Sequence, residues 1–392
     1  MTTNSNIEII HASERNVSDA SLISKIEIKG LWGTHDFVWD LDASVNVLIG
    51  DNGSGKSTII NLVNAMLSTD NTTQKNDKYN YSFDEILITF NNNKRFFFEK
   101  TRSTTLEVND IQLREEHDEI SEKSISNNNN FRLRKTEVTN KGAGYYATDM
   151  SMTIFLKPIL KVSYISTFDN FVKDAKTANI IANMPNVTTD LDWDLRQLMI
   201  DFKSYQLGIK QREAEAILPL DEAIGQISLK TSANLAELQE LQHILQKKQL
   251  IKEEYHELQT KFFRTVEYLF TNTSAIELSK TIDTDSDNDF VFIKNKTQQI
   301  PLHQLSSGEK QLLIILMSTV LQREKPCIFL LDEPEISLHI RWQEELIDKI
   351  LLLNPNVQII MATHGSRMFV KNIWFQKTVK IQSLTHQISF KK

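Results

Sequence analysis

The sequence predicts an α/β fold, a mixed β-sheet with flanking helices that carries a long helical insertion, and three observations lead there. Short runs rich in Ile, Val and aromatics, ISKIEIKG, HDFVWDL and VNVLIG, follow one another from Leu22 onward. The last of them runs through a glycine-rich loop straight into the apolar helical stretch STIINLVNAML. Far downstream, the apolar run CIFLL ends in Asp332 and Glu333, the pattern of a buried strand that delivers carboxylates at its tip.

Composition sets the bounds. With 392 residues, 40% of them hydrophobic, the chain can bury one large core plus an excursion. No run reaches the roughly twenty apolar residues of a membrane-spanning helix. The polar start MTTNSNIEII also lacks the basic and apolar regions of a secretory signal, so a cytoplasmic protein without membrane contact is expected. Cys327 is the single cysteine and cannot form an internal disulfide; set in an apolar run, it reads as a packing residue. A net charge of -7 argues against a surface coated for nonspecific nucleic-acid binding, while a local basic groove stays open.

Along the chain, residues 1–20 read as a flexible tail and 21–168 as an N-terminal lobe. In that lobe ILITF and KRFFFEKT form a hairpin across Asn91, Asn92 and Asn93. The acidic, asparagine-rich stretch 115–130 reads as an exposed loop, and Lys161 to Ser166 as a further buried strand. Residues 169–273 turn helical. There Leu241, Ile244, Ile251, Tyr255, Leu258 and Phe262 share one stripe, and a helix from about Asn234 to Phe270 would measure roughly 55 Å. Gly208, Pro219 and Gly225 are expected to break this region into turns. Two readings stay open: a helix packed on its own lobe, or a short antiparallel coiled coil projecting as a partner-binding arm. Residues 274–392 form a C-terminal lobe in which AIELSK and DFVFIKNK flank a turn from Thr281 to Asp289.

The chemistry sits in the loops. Gly50-Asp51-Asn52-Gly53-Ser54-Gly55-Lys56-Ser57-Thr58 fits G-x-x-x-x-G-K-[ST] between a strand and a helix, the phosphate-binding P-loop. Its glycines let backbone N–H groups converge on phosphate oxygens, and the helix N-terminus adds its positive end. Asn52, Gly53, Ser54, Gly55, Lys56, Ser57 and Thr58 are therefore expected to hold ATP or GTP, with Ser57 also on magnesium. Asp332 is expected to hold the magnesium through water, and Glu333 to orient and deprotonate the attacking water.

Further motifs bring a resemblance. Leu305-Ser306-Ser307-Gly308-Glu309-Lys310-Gln311 resembles the signature of ABC ATPases and opens the apolar helix LLIILMSTVL. P-loop, signature, carboxylate-ended strand, D-loop and His364 in Met361-Ala362-Thr363-His364 follow in that family's order. The run Asp332-Glu333-Pro334-Glu335-Ile336-Ser337-Leu338-His339 is similar to the RecF, SMC and OLD branch, often placed among the AAA ATPases. The resemblance implies that Ser306, Ser307, Gly308 and Glu309 contact nucleotide held by a second copy, that His364 senses the γ-phosphate, and that heads dimerise or oligomerise head to tail. A helix N-terminus with Ser and Gly is a suitable donor set for that phosphate.

Three departures stand out. No glutamine follows the strand at Tyr164-Ile165-Ser166-Thr167-Phe168-Asp169, His339 replaces an aspartate of transporter D-loops, and Trp32 is an adenine contact or a core residue. The favoured expectation is an ATP-hydrolysing, dimerising switch in a DNA-related or anti-phage role, with a separate nuclease partner as in Septu-like and PARIS-like systems and DNA contact left open. The alternatives are the ATPase subunit of a membrane transporter and a non-hydrolysing ATP-dependent scaffold.

Overall fold

The computed structural model describes residues 22–67, 82–92, 95–100, 131–141, 144–154, 161–166, 187, 189–228, 235–271, 280–284, 289–295, 297–369 and 373–387. The expected tail 1–20 and the stretch 115–130 lie outside them, as do residues 275–279 of AIELSK. Among the described residues, no helix is long and apolar enough to cross a membrane.

In chain order the elements are β1 (Ile23–Leu31), β2 (His35–Asp40), β3 (Val45–Ile49), α1 (Lys56–Leu67), β4 (Glu85–Phe90), β5 (Arg95–Lys100), β6 (Phe131–Lys141), β7 (Gly144–Ile154) and β8 (Lys161–Ser166). The long helices α2 (Asp190–Ser228) and α3 (Leu235–Thr271) follow, then β9 (Lys280–Thr284), β10 (Phe290–Lys294), β11 (Gln298–Ile300) and α4 (Ser307–Val320). Last come β12 (Cys327–Asp332), α5 (Ile340–Leu353), β13 (Val357–Thr363), β14 (Thr378–Lys380), α6 (Ile381–Leu384) and β15 (Thr385–Gln387).

Two compact units emerge. One comprises Met1–Ile165, Pro326–Glu333 and Asn356–Lys392, the other Ser166–Lys325 and Pro334–Pro355. The expected lobes were consecutive stretches, whereas these units interleave. The reason is strand pairing: β12 and β13 pair in parallel with each other, and β13 with β3, so both join the P-loop strand.

The first unit holds a five-stranded sheet, β14-β3-β13-β12-β8, and a seven-stranded one, β15-β2-β1-β4-β5-β7-β6. Neighbouring strands of the larger sheet pair antiparallel, including the expected hairpin of β4 and β5. Side chains of both sheets and α1 share one core: Ile26, Ile28, Phe37 and Trp39 lie with Ile59, Ile60, Val63, Leu330 and Ile360. Cys327 is fully buried, as its apolar run requires. Residues 162–165 of β8 are half-buried, not the buried strand expected, because among the described residues β8 ends its sheet with a partner on one side.

The second unit packs α2 and α3 against the three-stranded sheet β11-β10-β9 and helices α4 and α5. Phe202 of α2 meets Phe262 of α3 at 5.2 Å and Phe290 of β10 at 5.0 Å between ring centroids. Phe270 stacks on Phe292 and on Trp342, whose indole N–H donates to Leu269 O at 2.9 Å. Every residue of the expected α3 stripe is buried or half-buried. Gly208, Pro219 and Gly225 break nothing, however: α2 runs through all three. Pro219 is exposed, and its missing N–H leaves the carbonyl of Glu215, another exposed residue, without its helix donor. The glycines cost helix propensity, about 1 kcal/mol each, which tertiary packing of a long helix overrides. In the expected turn at Thr281–Asp289, residues 281–284 instead continue β9.

Candidate functional site

Three adjacent parallel strands end abreast and carry one group of residues on their tips. Asp332 pairs with Ala362, and Ala362 with Leu48. The loops after β12, β13 and β3 therefore leave from the same sheet edge, where ligands of parallel sheets collect.

The loop after β3 turns on Gly53 and Gly55, with φ of 76° and 92°. These are values that an L side chain resists. A Cβ at Gly55 would also fall 1.9 Å from the Trp32 ring. Trp32 is 37% exposed, has φ of 55°, and its N–H donates to Ser82 O at 2.6 Å. It is thus a prop behind the loop and not a core residue.

Lys56 is 3% exposed. Its ammonium donates to Gly50 O at 3.0 Å and Asp51 O at 3.2 Å and lies 2.8 Å from His364 Nε2. That same nitrogen is 2.7 Å from Glu333 Oε1. One ring nitrogen cannot accept from the ammonium and donate to the carboxylate at once, so the two contacts compete for it. Glu333 is 8% exposed, has φ of 48°, and its N–H donates to Ala362 O at 2.8 Å. A left-handed glutamate pinned to the neighbouring strand holds its carboxylate in one direction. Ser57 Oγ donates to Asp332 Oδ1 at 2.9 Å. Asn52 and Gly53 are exposed, while Ser54 and Thr58 are half-buried.

The second unit holds the signature residues. Ser306 N-caps α4 in a capping box: its Oγ accepts from Glu309 N–H at 3.4 Å, and Glu309 Oε2 accepts from Ser306 N–H at 2.9 Å. Glu309 also pairs with Lys280, so its carboxylate is turned inward as a structural group. Ser306 and Ser307 are exposed, and the Ser306 Oγ that accepts keeps its own proton to donate. A Cβ at Gly308 would lie 2.1 Å from Ser337 O in the D-loop. His339 N-caps α5, accepting from Arg341 N–H at 3.3 Å, which is the duty the D-loop departure leaves it.

Sequence reading missed Asp192. It closes a capping box with Thr189 at the start of α2 and pairs with Lys310 at 2.6 Å, tying the first turn of α2 to the first turn of the signature helix. The T-x-x-D spacing was legible; the lysine partner was not.

Because Gly308 faces backbone, Gly308→Ala must push the signature turn away from the D-loop. Overpacking costs about 1–3 kcal/mol of stability, so Gly308→Ala is expected to lower the Tm. Thermal unfolding beside the unsubstituted protein checks this, and an unchanged Tm would contradict the close contact.

A strand, a P-loop and a helix, with carboxylates and a histidine on neighbouring strand ends, define a P-loop ATPase of the α/β class. The AAA ATPase domain family matches residues 22–369, and the chain belongs to that family. It is 24% identical over 363 residues to the Retron Vc95 probable ATPase of Vibrio cholerae serotype O1 biovar El Tor, covering 83% of this chain and 66% of that protein. The chain thus spans about two thirds of that relative's length. Solved structures similar to it include the Smc head domain with an extended coiled coil bound to the C-terminal domain of ScpA from Pyrococcus furiosus, at 14% identity and TM-score 0.43, covering 94% of this chain and 96% of that one. The SMC head domain from Thermotoga maritima gives 13% identity and TM-score 0.36, with 89% and 91% covered.

Proposed function

We propose that the chain hydrolyses ATP at sites completed between two copies, and that it works as a switch for a separate effector protein. The observation that carries this reading is the gathering of two bonded groups, Lys56–His364–Glu333 and Ser57–Asp332, at the ends of neighbouring parallel strands.

The residues fit magnesium. Ser57 hydroxyl and Asp332 carboxylate already share a hydrogen bond, and a hydroxyl and a carboxylate beside phosphates suit this ion better than an all-protein cage. When bound, magnesium supplies positive charge to the β and γ phosphates. Lys56 leaves the Gly50 and Asp51 carbonyls for the phosphates. His364 is then free of the ammonium and can donate to the γ-phosphate. Released from His364, Glu333 accepts the proton of the attacking water. The exposed Ser306 and Ser307 at the N-terminus of α4 offer donors for the γ-phosphate of the other copy's nucleotide.

An effector, a nuclease in an anti-phage module, is supported by the motif resemblance and by likeness to a retron ATPase. DNA as a direct partner rests on the motif resemblance alone.

The dimer requirement makes turnover depend on protein concentration. Hydrolysis per chain is expected to rise from near zero at high dilution to a plateau. A flat specific activity over about a thousandfold dilution would mean that one chain suffices, and no hydrolysis at any concentration would leave a binding scaffold.

A further inference from the structure

Helix α2 carries two apolar faces. The one it buries, with Leu195, Phe202, Ile209 and Ile217, faces the rest of its unit. About 130° round the helix from it, at 100° per residue, Ile200, Leu207, Ala214 and Leu218 fall within about 40° of one line. Ile200, Leu207 and Leu218 are 53%, 68% and 59% exposed. Seven-residue spacing sets Trp193, Ile200, Leu207 and Ala214 as successive layers, with Gln197, Ser204, Gln211 and Leu218 between them. Arg196, Lys203 and Lys210 line one flank, while Asp201, Glu215 and Glu222 line the other. Arg196, Asp201 and Lys210 have no ion-pair partner among the described residues.

We infer that this stripe is an arm-to-arm contact, in which α2 pairs in parallel and in register with α2 of a second copy. The inference rests on the proposed dimer. In the parallel arrangement like layers meet, so Leu207 faces the partner's Leu207 and the glutamine layers can bond each other. The flanks then match: Arg196 meets the partner's Asp201, and Lys210 meets the partner's Glu215. An antiparallel arrangement would set Ile200 and Leu207 against serine and glutamine, and lysine against lysine. The acidic flank also disfavours nucleic acid, which the basic flank alone would suit.

The contact is small by design. A few large apolar side chains per copy bury on the order of a few hundred Å², short of the roughly 800 Å² per partner that a stable interface needs. It therefore forms only when nucleotide holds the copies together, where local concentration is high. Through the Asp192–Lys310 pair, the state of the arm reaches the first turn of the signature helix. Arm pairing is in this way a regulatory input to the half-site that Ser306 offers.

Cys327 is fully buried, so Leu207→Cys introduces the one accessible thiol among the described residues. With a short bis-maleimide, this variant of the full chain is expected to cross-link into dimers when ATP is added, and at least tenfold less without it. Arg212→Cys, exposed but off the stripe, is the control and should cross-link little. Adding Lys210→Glu should lower the Leu207→Cys yield, and the swap Lys210→Glu with Glu215→Lys should restore it. An ATP-dependent dimer in light scattering without cross-linking at 207 overturns the arm contact and leaves the nucleotide dimer standing. Equal yields at 207 and 212, or no rescue by the swap, also overturn it. Absence of any ATP-dependent dimer defeats the proposed function and this inference together.

Discussion

Glu333→Gln is expected to slow hydrolysis by about 10²-fold or more, while ATP binding persists and an ATP-bound dimer accumulates. The amide keeps the volume of the carboxylate and its reach toward His364, whose Nε2 is 2.7 Å from Glu333 Oε1, but it cannot take a proton from water. Because Glu333 sits in left-handed backbone anchored by its own N–H to Ala362 O, the substitution leaves the backbone geometry unchanged. Single-turnover hydrolysis alongside nucleotide-dependent light scattering reads both halves of the expectation. Near-normal turnover would remove Glu333 from the proton path. Slow turnover without a trapped dimer would detach hydrolysis from assembly.

Much of this site was legible because its chemistry is carried by short local strings. The loop from Gly50 to Thr58 and the pair Asp332-Glu333 each need only a strand end and a few side chains, and the parallel register sets them abreast as alternation and apolar runs imply. What the strings could not show is how they lean on the rest of the chain. Lys56 reads as a point charge on an open loop, yet it is buried and bonded to two carbonyls and lies against His364, a contact made across 308 positions. Glu309 reads as part of a nucleotide-binding motif, but local capping and Lys280 turn it inward. Gly308 reads as a nucleotide contact, but a Cβ there would lie 2.1 Å from the Ser337 carbonyl oxygen.

The helical region shows the same division. Periodicity placed α3 within one residue at either end and identified its buried stripe. Local breaker rules then cut α2 at Gly208, Pro219 and Gly225, where the packing of Phe202, Ile209 and Ile217 on the unit's own core outweighs a modest propensity cost. The first long helix ends only at Ser228, and the second begins at Leu235.

The central claim is that each nucleotide site takes Lys56 from one copy and Ser306 from another, and mixing two inactive variants tests it most directly. Lys56→Ala removes the charge that meets the phosphates, and Ser306→Arg removes a donor and fills the face it offers. Each protein alone should be inactive by at least about 10²-fold. A head-to-tail mixed dimer with two-fold symmetry has one site bearing both defects and one bearing neither. Random exchange makes about half the dimers mixed, each with one of two sites intact, so hydrolysis near a quarter of the unsubstituted protein is expected. ATP-dependent dimerisation is followed in the same mixture. Recovery to about a quarter supports sites shared between copies; a mixture that forms ATP-dependent dimers yet stays as inactive as its components contradicts them.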